Sequence, residues 1–213
     1  MAQGVLPFQY EADTTSSGMT SLGGLPVYLD LIVSSGLSEA IKKYVCVAGN
    51  QGWLDLQMIL ALIFLNLAGG DCVDDLERLE NDPGFAALMR SIERHLLTRK
   101  ERTALKARWR QERTRALPAP SSMRDWLERF HDPATMEVQE KGKAIIPALT
   151  ENLRSLWSVN LGLIGFLQRH RQETTATLDM DATLVETHKR DALHCYKGFK
   201  AYQPLNCYWA EQG

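Results

Sequence analysis

The chain has few cysteines and no long uninterrupted apolar run, and both absences exclude classes of protein. Its 213 residues include four cysteines, and none is spaced as a paired metal or redox motif. We therefore expect neither a disulfide framework nor a structural zinc site. The most apolar stretch, Leu54 to Ala68, is interrupted by Asp55, Gln57 and Asn66. It falls short of the roughly 20 residues that a membrane span needs, so it predicts a buried helix and no membrane association.

Two further signals are missing from the sequence. The first residues lack a basic segment followed by an apolar one, so no secretory signal is indicated and a reduced cytoplasmic setting is expected. The pair Gly69-Gly70 resembles a glycine-rich turn, but Asp71 follows it where a phosphate-binding loop requires lysine and a hydroxyl residue. A nucleotide-binding loop is therefore not predicted here.

Positive charge is concentrated in one segment. The whole chain carries a formal net charge of −2, whereas Arg99 to Arg115 holds eight Lys and Arg against two Glu, or +6 (8 − 2). The remainder is then −8 (−2 − 6). With 45% hydrophobic residues the chain has ample material for a core. The segregation of charge directs attention to one basic surface.

The basic residues of this segment recur at helical spacing. We predict one long helix from Ser91 to Arg115. Five cations separated by three, four, four and three positions would then form a stripe on one helix face: Arg99, Arg102, Lys106, Arg110 and Arg113. Such a stripe can neutralise successive phosphates of a nucleic-acid backbone. The other interpretation is a solvated helix face without a partner.

The remaining periodicities divide the chain into four parts. Residues 1–20 are polar and predict a flexible leader, and residues 21–132 predict a helical domain. Residues 133–172 keep an approximate heptad pattern of leucines and predict a long connector helix. Residues 173–213 predict strands. The fold class is therefore mainly α followed by a small β region.

Two carboxylates share one face of the first predicted strand. Polar residues alternate with apolar ones from Thr175 to Asp181, which is the period of a strand. Asp179 and Asp181 would lie about 7 Å apart on the same face. A hard divalent cation such as Mg²⁺ prefers carboxylate oxygens. A solvated strand end explains the same pattern. Cys195 to Phe199 and Ala201 to Trp209 predict a second and third strand in an antiparallel meander.

Several short motifs, in the same order along the chain, resemble bacterial insertion-sequence transposases of the DDE type. The first is Leu178-Asp179-Met180-Asp181-Ala182-Thr183, and Tyr196-Lys197-Gly198-Phe199-Lys200-Ala201-Tyr202-Gln203-Pro204-Leu205 follows it. The others lie earlier in the chain: Met19-Thr20-Ser21-Leu22-Gly23-Gly24-Leu25, Gly70-Asp71-Cys72-Val73-Asp74-Asp75-Leu76-Glu77-Arg78-Leu79, Asn81-Asp82-Pro83-Gly84-Phe85 and Pro120-Ser121-Ser122-Met123-Arg124-Asp125-Trp126-Leu127. The similarity spans nearly the whole chain.

The resemblance implies a fold and an activity. It implies a helical N-terminal domain that binds the terminal inverted repeats of double-stranded DNA, followed by the start of an α/β ribonuclease-H-like catalytic domain. Asp181, within Asp-Ala-Thr, would be the first of three acidic ligands for Mg²⁺ or Mn²⁺, with Asp179 as the alternative. The expected setting is the bacterial cytoplasm, on the nucleoid when DNA is bound. A homodimer is kept as one option for the full-length protein.

The same resemblance predicts that this chain is truncated after the first catalytic strands and inactive alone. Only Glu186, Asp191 and Glu211 follow Asp181. We expect the first in the same strand, the second in a turn and the third in a frayed tail, so none would converge on Asp181. The alternative function is a noncatalytic helical DNA-binding protein that uses the basic face from Arg99 to Arg113.

Overall fold

A computed structural model describes residues 18–134, 148–189 and 192–212. Within these ranges the protein is mainly helical, with small antiparallel sheets. The chain divides into two compact units, Met1–Leu163 and Ile164–Gly213. Most of the predicted leader and residues 135–147 of the predicted connector lie outside the described ranges. In the part of the chain that is described, no helix is long and apolar enough to cross a bilayer.

Seven helices of the first unit, and an eighth that ends in the second, are described. They are α1 (Pro26–Ser34), α2 (Leu37–Tyr44), α3 (Asp55–Leu67), α4 (Leu76–Glu80), α5 (Pro83–Leu96), α6 (Arg99–Ala107), α7 (Pro120–Glu128) and α8 (Glu151–His170). A single 3₁₀ turn, Val73–Asp75, precedes α4. The buried helix predicted in the apolar stretch from Leu54 to Ala68 is confirmed as α3.

The core of the first unit is built around α3. This helix is apolar on most of its surface and buries Leu60, Phe64 and Leu65. The ring of Phe64 meets that of Phe85 from α5 edge to face, with centroids 5.7 Å apart. Both side chains are fully buried, and each contributes roughly 1.5–3 kcal/mol by leaving water. The apolar run in the sequence therefore became the centre of the helical unit.

The predicted long helix from Ser91 to Arg115 is wrong. Leu97 is buried and extended (φ −106°, ψ 134°), which separates α5 from α6. Thr98 then caps α6: its hydroxyl accepts from Glu101 N at 3.2 Å, and Glu101 Oε2 accepts from Thr98 N at 2.6 Å. This reciprocal pair satisfies donors that the first helical turn leaves free. The helix ends at Ala107, so Arg110 and Arg113 do not lie on it.

The capping pair of α6 makes the stability of the folded protein depend on pH. Hydrogen bonds from Thr98, followed by the Lys42 ammonium 3.0 Å from Glu101 Oε1, lower the pKa of Glu101 to about 2. A lowered folded-state pKa adds stability above the unfolded value of about 4.5, and this stability is lost as the pH falls towards 2. The carboxylate is 38% exposed, so solvent screening leaves about 1 kcal/mol.

We therefore expect Glu101→Gln to lower the free energy of unfolding by about 1 kcal/mol at pH 6 and by nearly nothing at pH 2. Urea denaturation at a series of pH values measures this difference. Glu112→Gln is the matched control, since Glu112 is exposed and contacts no partner among the described residues. A pH-independent difference would contradict the assignment.

The predicted connector is helical from Glu151 onwards, but residues 148–150 of the connector are not helical. The helix α8 begins at Glu151 because the Thr150 hydroxyl accepts from Leu153 N at 3.2 Å and caps its first turn. The predicted helix is thus not continuous over residues 133–172. Leucines of α8 at positions 153, 156 and 163 pack against the core of the first unit.

The second unit contains a two-stranded and a three-stranded antiparallel sheet. Its strands are β1 (Leu178–Ala182), β2 (Val185–Glu186), β3 (Leu193–His194), β4 (Lys200–Tyr202) and β5 (Leu205–Trp209). Pairs β1–β5 and β2–β4 share one register, and Thr183 N donates to Pro204 O at 3.2 Å between them. The β3 strand pairs with the other edge of β4.

This topology corrects the predicted meander. The stretch from Ala201 to Trp209 pairs with the first predicted strand, because β5 lies beside β1 and β4 lies beside β2. The strand β3, which comes between them in the chain, lies at the outer edge of the three-stranded sheet. Cys195 to Phe199 is a turn between β3 and β4, in which Gly198 has a left-handed φ of 87° and Gly198 N donates to Cys195 O at 3.0 Å. Glycine adopts this φ without steric cost, so a tight turn replaced the predicted strand.

Candidate functional site

A basic groove lies on the first unit, between α5, α6 and the segment that follows α6. Its volume is about 710 Å³. Six cations and two acids line it, giving a net charge of +4 (6 − 2): Arg90, Arg94, Arg102, Lys106, Arg110 and Arg113, with Glu93 and Glu112. We call this surface the basic groove. Four of the five cations predicted to bind DNA meet here although they do not share one helix face.

Three of the groove cations are held by the protein itself. Arg90 Nη2 donates to Thr114 O at 2.8 Å. Arg102 Nη1 donates to the carbonyls of Arg94 and Leu97, at 2.7 and 2.6 Å, and so satisfies the end of α5. The Arg102 contacts fix the corner between α5 and α6, and the Arg90 contact joins α5 to the segment that follows α6.

Arg113 is the most deeply held of the three. Its guanidinium forms a two-point pair with Glu93, at 2.8 and 3.0 Å, and the two side chains are 15% and 19% exposed. Gln57 Nε2 donates to the same carboxylate at 2.5 Å. The guanidinium also lies 4.8 Å from the ring centre of Trp53. Arg113 is therefore a structural residue of the groove wall, which corrects its predicted place on an exposed helix face.

The other three groove cations are available to a ligand. Arg94, Lys106 and Arg110 are exposed and make no ion pair or side-chain hydrogen bond with the described residues. They come from α5, α6 and the following segment respectively. An anion in the groove would meet them without first breaking a contact within the protein. The arrangement suits an extended polyanion because the three charges lie on three different elements.

The predicted set of cations omits two residues of the groove and includes one residue that does not line it. Arg90 and Arg94 lie one turn apart on α5, in a segment with no notable excess of charge, and only packing brings them opposite α6. Arg99, the first residue of α6, is exposed but does not line the groove. The spacing of Arg90 and Arg94 by four was a signal that could have been read.

The β1–β5 ladder of the second unit carries two carboxylates on one of its faces. Asp179 and Asp181 of β1 are directly opposite Tyr208 and Asn206 of β5, and directly opposed residues point to the same side. Asn206 Nδ2 donates to Thr183 Oγ1 at 3.0 Å across this face. Both carboxylates are exposed and have no hydrogen-bond partner among the described residues. We call this surface the acidic face.

The acidic face offers few ligands to a metal ion. Carboxylate and amide oxygens of Asp181 and Asn206 are of the type that Mg²⁺ binds. No group of three or more His, Cys, Asp or Glu able to hold a metal occurs among the residues that the structure describes. Glu186 is five residues from Asp181 along the ladder, or about 16 Å. Asp191 lies outside the described residues.

Glu211 is not frayed, contrary to the prediction. Its carboxylate accepts from Thr177 N at 2.8 Å and from Thr177 Oγ1 at 2.5 Å, and these two bonds lower its pKa. Glu211 therefore closes the end of the β1–β5 ladder at Thr177, which is four residues, or about 13 Å, from Asp181 along the chain.

Comparison of the chain with protein-family models, curated proteins and solved structures found no match.

Proposed function

We propose that this protein is a DNA transposase of the DDE type, whose basic groove binds the phosphate backbone of the terminal inverted repeats. The observation that carries the DNA-binding part is the groove itself. Three exposed cations from three elements, without partners among the described residues, line it beside three arginines that are bound to the protein. Phosphate neutralisation with release of counterions is the main sequence-independent source of affinity for duplex DNA.

The strand-cleaving part of the proposal depends on the acidic face. Asp181 stands on a strand that is fixed by its register with β5, and its exposed carboxylate has no competing partner among the described residues. In the transposases that the motifs resemble, an acid in this context binds the first of two catalytic Mg²⁺ ions within a ribonuclease-H-like domain. Two such ions stabilise the attacking and leaving oxygens at phosphorus. Asp179 on the same face is the alternative ligand.

A noncatalytic DNA-binding protein is the second candidate. It is favoured because the described residues contain no group of three or more His, Cys, Asp or Glu that could hold a metal ion. Under this alternative the basic groove keeps its role and the acidic face has none. The two candidates therefore differ only in what happens when Asp181 is changed.

In cells that carry the whole gene within its element, we expect Asp181→Asn to abolish excision and to leave DNA affinity within about twofold. The change removes a charged metal ligand with little change in volume. Excision is measured by amplification across the donor site, and affinity by fluorescence anisotropy with a duplex of the element end. If Asp179→Asn abolishes excision and Asp181→Asn does not, the ligand is Asp179. Unimpaired excision in both variants would refute a catalytic role for the acidic face.

The purified 213-residue chain is expected not to nick the same duplex with Mg²⁺ or Mn²⁺. A single carboxylate position holds Mg²⁺ weakly, because this ion keeps its waters unless several ligands are presented together. Nicking that disappears in Asp181→Asn would contradict this expectation and show that the chain assembles a full site.

A further inference from the structure

The loop between α2 and α3 lies beside the basic groove and has an immobilised backbone. Asp55 accepts from Val47 N at 3.2 Å and from Ala48 N at 2.8 Å. Arg129 of the segment after α7 donates to Val47 O at 2.8 Å. Side chains from two other elements thus fix the first half of this loop.

Arg108, which follows α6, fixes the second half. Its guanidinium donates to the carbonyls of Gly49, Gly52 at 2.9 Å and Trp53 at 3.1 Å. Gly52 N donates in return to Arg108 O at 3.1 Å. A guanidinium that donates to three carbonyls of one loop holds the backbone of that loop in one conformation.

Two residues with amide side chains lie at the tip of this loop. Asn50 and Gln51 are exposed, and neither side chain makes a hydrogen bond with the described residues. Each amide carries two donors and an acceptor. The loop therefore combines a fixed backbone with amide groups that are unpaired among the described residues, and recognition of a ligand requires such an arrangement.

The tip is also close to the basic groove. Trp53 at the end of the loop meets Trp109 of the groove lining edge to face, with ring centroids 5.2 Å apart, and Arg113 covers the Trp53 ring. Asn50 is three residues from Trp53, so the Cα atoms of these two residues lie at most about 11 Å apart. The major groove of DNA is about 12 Å wide, so a loop beside a bound phosphate strand reaches base edges.

We propose that Asn50 and Gln51 read base edges of the DNA whose backbone the basic groove holds, and so determine its sequence specificity. This inference rests on the proposed DNA binding. Asparagine and glutamine suit adenine because one amide can donate to N7 and accept from N6 at once. The groove would supply affinity common to all sequences, and the loop would supply preference among them.

The test begins with selection of a preferred site from a pool of random 20-base-pair duplexes by the wild-type chain. The dissociation constants for the selected duplex and for a scrambled one give a specificity ratio. We expect Asn50→Ala with Gln51→Ala to lower this ratio about tenfold or more. Affinity for the scrambled duplex and its salt dependence should stay unchanged. Asn160→Ala, an exposed amide on α8, is the matched control and should leave the ratio unaltered.

An unchanged ratio in the double variant would overturn the inference, and so would a wild-type pool without enrichment. In both cases salt-dependent binding to the scrambled duplex would leave the proposed function standing. Failure of the wild-type chain to bind any duplex would instead refute the DNA-binding proposal itself. Circular dichroism of each variant verifies that the helical unit is intact.

Discussion

A variant in which Arg94, Lys106 and Arg110 are replaced by glutamine is expected to bind duplex DNA about 10²–10³-fold more weakly at 0.1 M salt. These are the exposed groove cations without partners among the described residues. Each phosphate contact contributes about 0.9 to the slope of log affinity against log salt, so three contacts give about 2.7 decades at this concentration. Fluorescence anisotropy with a 30-base-pair duplex measures the loss.

The control removes the same charge from other surfaces. Lys43 of α2, Arg99 of α6 and Arg154 of α8 are exposed and do not line the groove. Their joint replacement by glutamine should weaken binding by much less, because none of the three lines the groove that is proposed to hold the phosphates. Equal losses in both triple variants would mean that net charge, and not the basic groove, determines affinity.

Replacement of Arg113 by glutamine should lower the free energy of unfolding by about 2–3 kcal/mol. The Glu93 carboxylate is largely buried and loses its two-point partner in this variant, while Gln57 remains as its single donor among the described residues. Loss of one member of a buried pair is costly because the remaining charge has left water without compensation. The contacts of the guanidinium with Trp53 and Trp109 are lost as well.

Lys106→Gln is the matched control for this prediction. Lys106 lines the same groove but is exposed and has no partner among the described residues, so its replacement should change stability by less than about 0.5 kcal/mol. Urea denaturation gives both values. If Arg113→Gln were as stable as Lys106→Gln, the structural role of Arg113 would be refuted, and Arg113 would count among the cations available to DNA.

The apolar pattern predicted the centre of the fold because burial of α3 is decided by its own residues. The run of Leu, Ile and Phe between Asp55 and Leu67 makes α3 apolar on most of its surface, so a compact fold buries it. The strand at Asp179 and Asp181 was found for a similar reason, since alternation with period 2 is a local property. Both predictions needed no knowledge of distant contacts.

The basic surface could not be predicted from spacing alone. The cations keep helical spacing through Arg113, but α6 ends at Ala107, so Arg110 and Arg113 do not lie on the helix. Sequence spacing cannot show which side of α5 packs opposite α6, and this packing adds Arg90 and Arg94 to the groove. The strand order failed for a related reason, because pairing partners of short strands are chosen by nonlocal contacts and by the turn at Gly198.

The salt dependence of DNA binding tests the basic groove most directly. The association constant of the wild-type chain and of the Arg94, Lys106 and Arg110 triple variant is measured for one duplex between 50 and 300 mM salt. We predict that the slope of log association constant against log salt is less negative in the variant by about 2.7, since three phosphate contacts are lost. Equal slopes for the two proteins would contradict a phosphate-binding role for the groove.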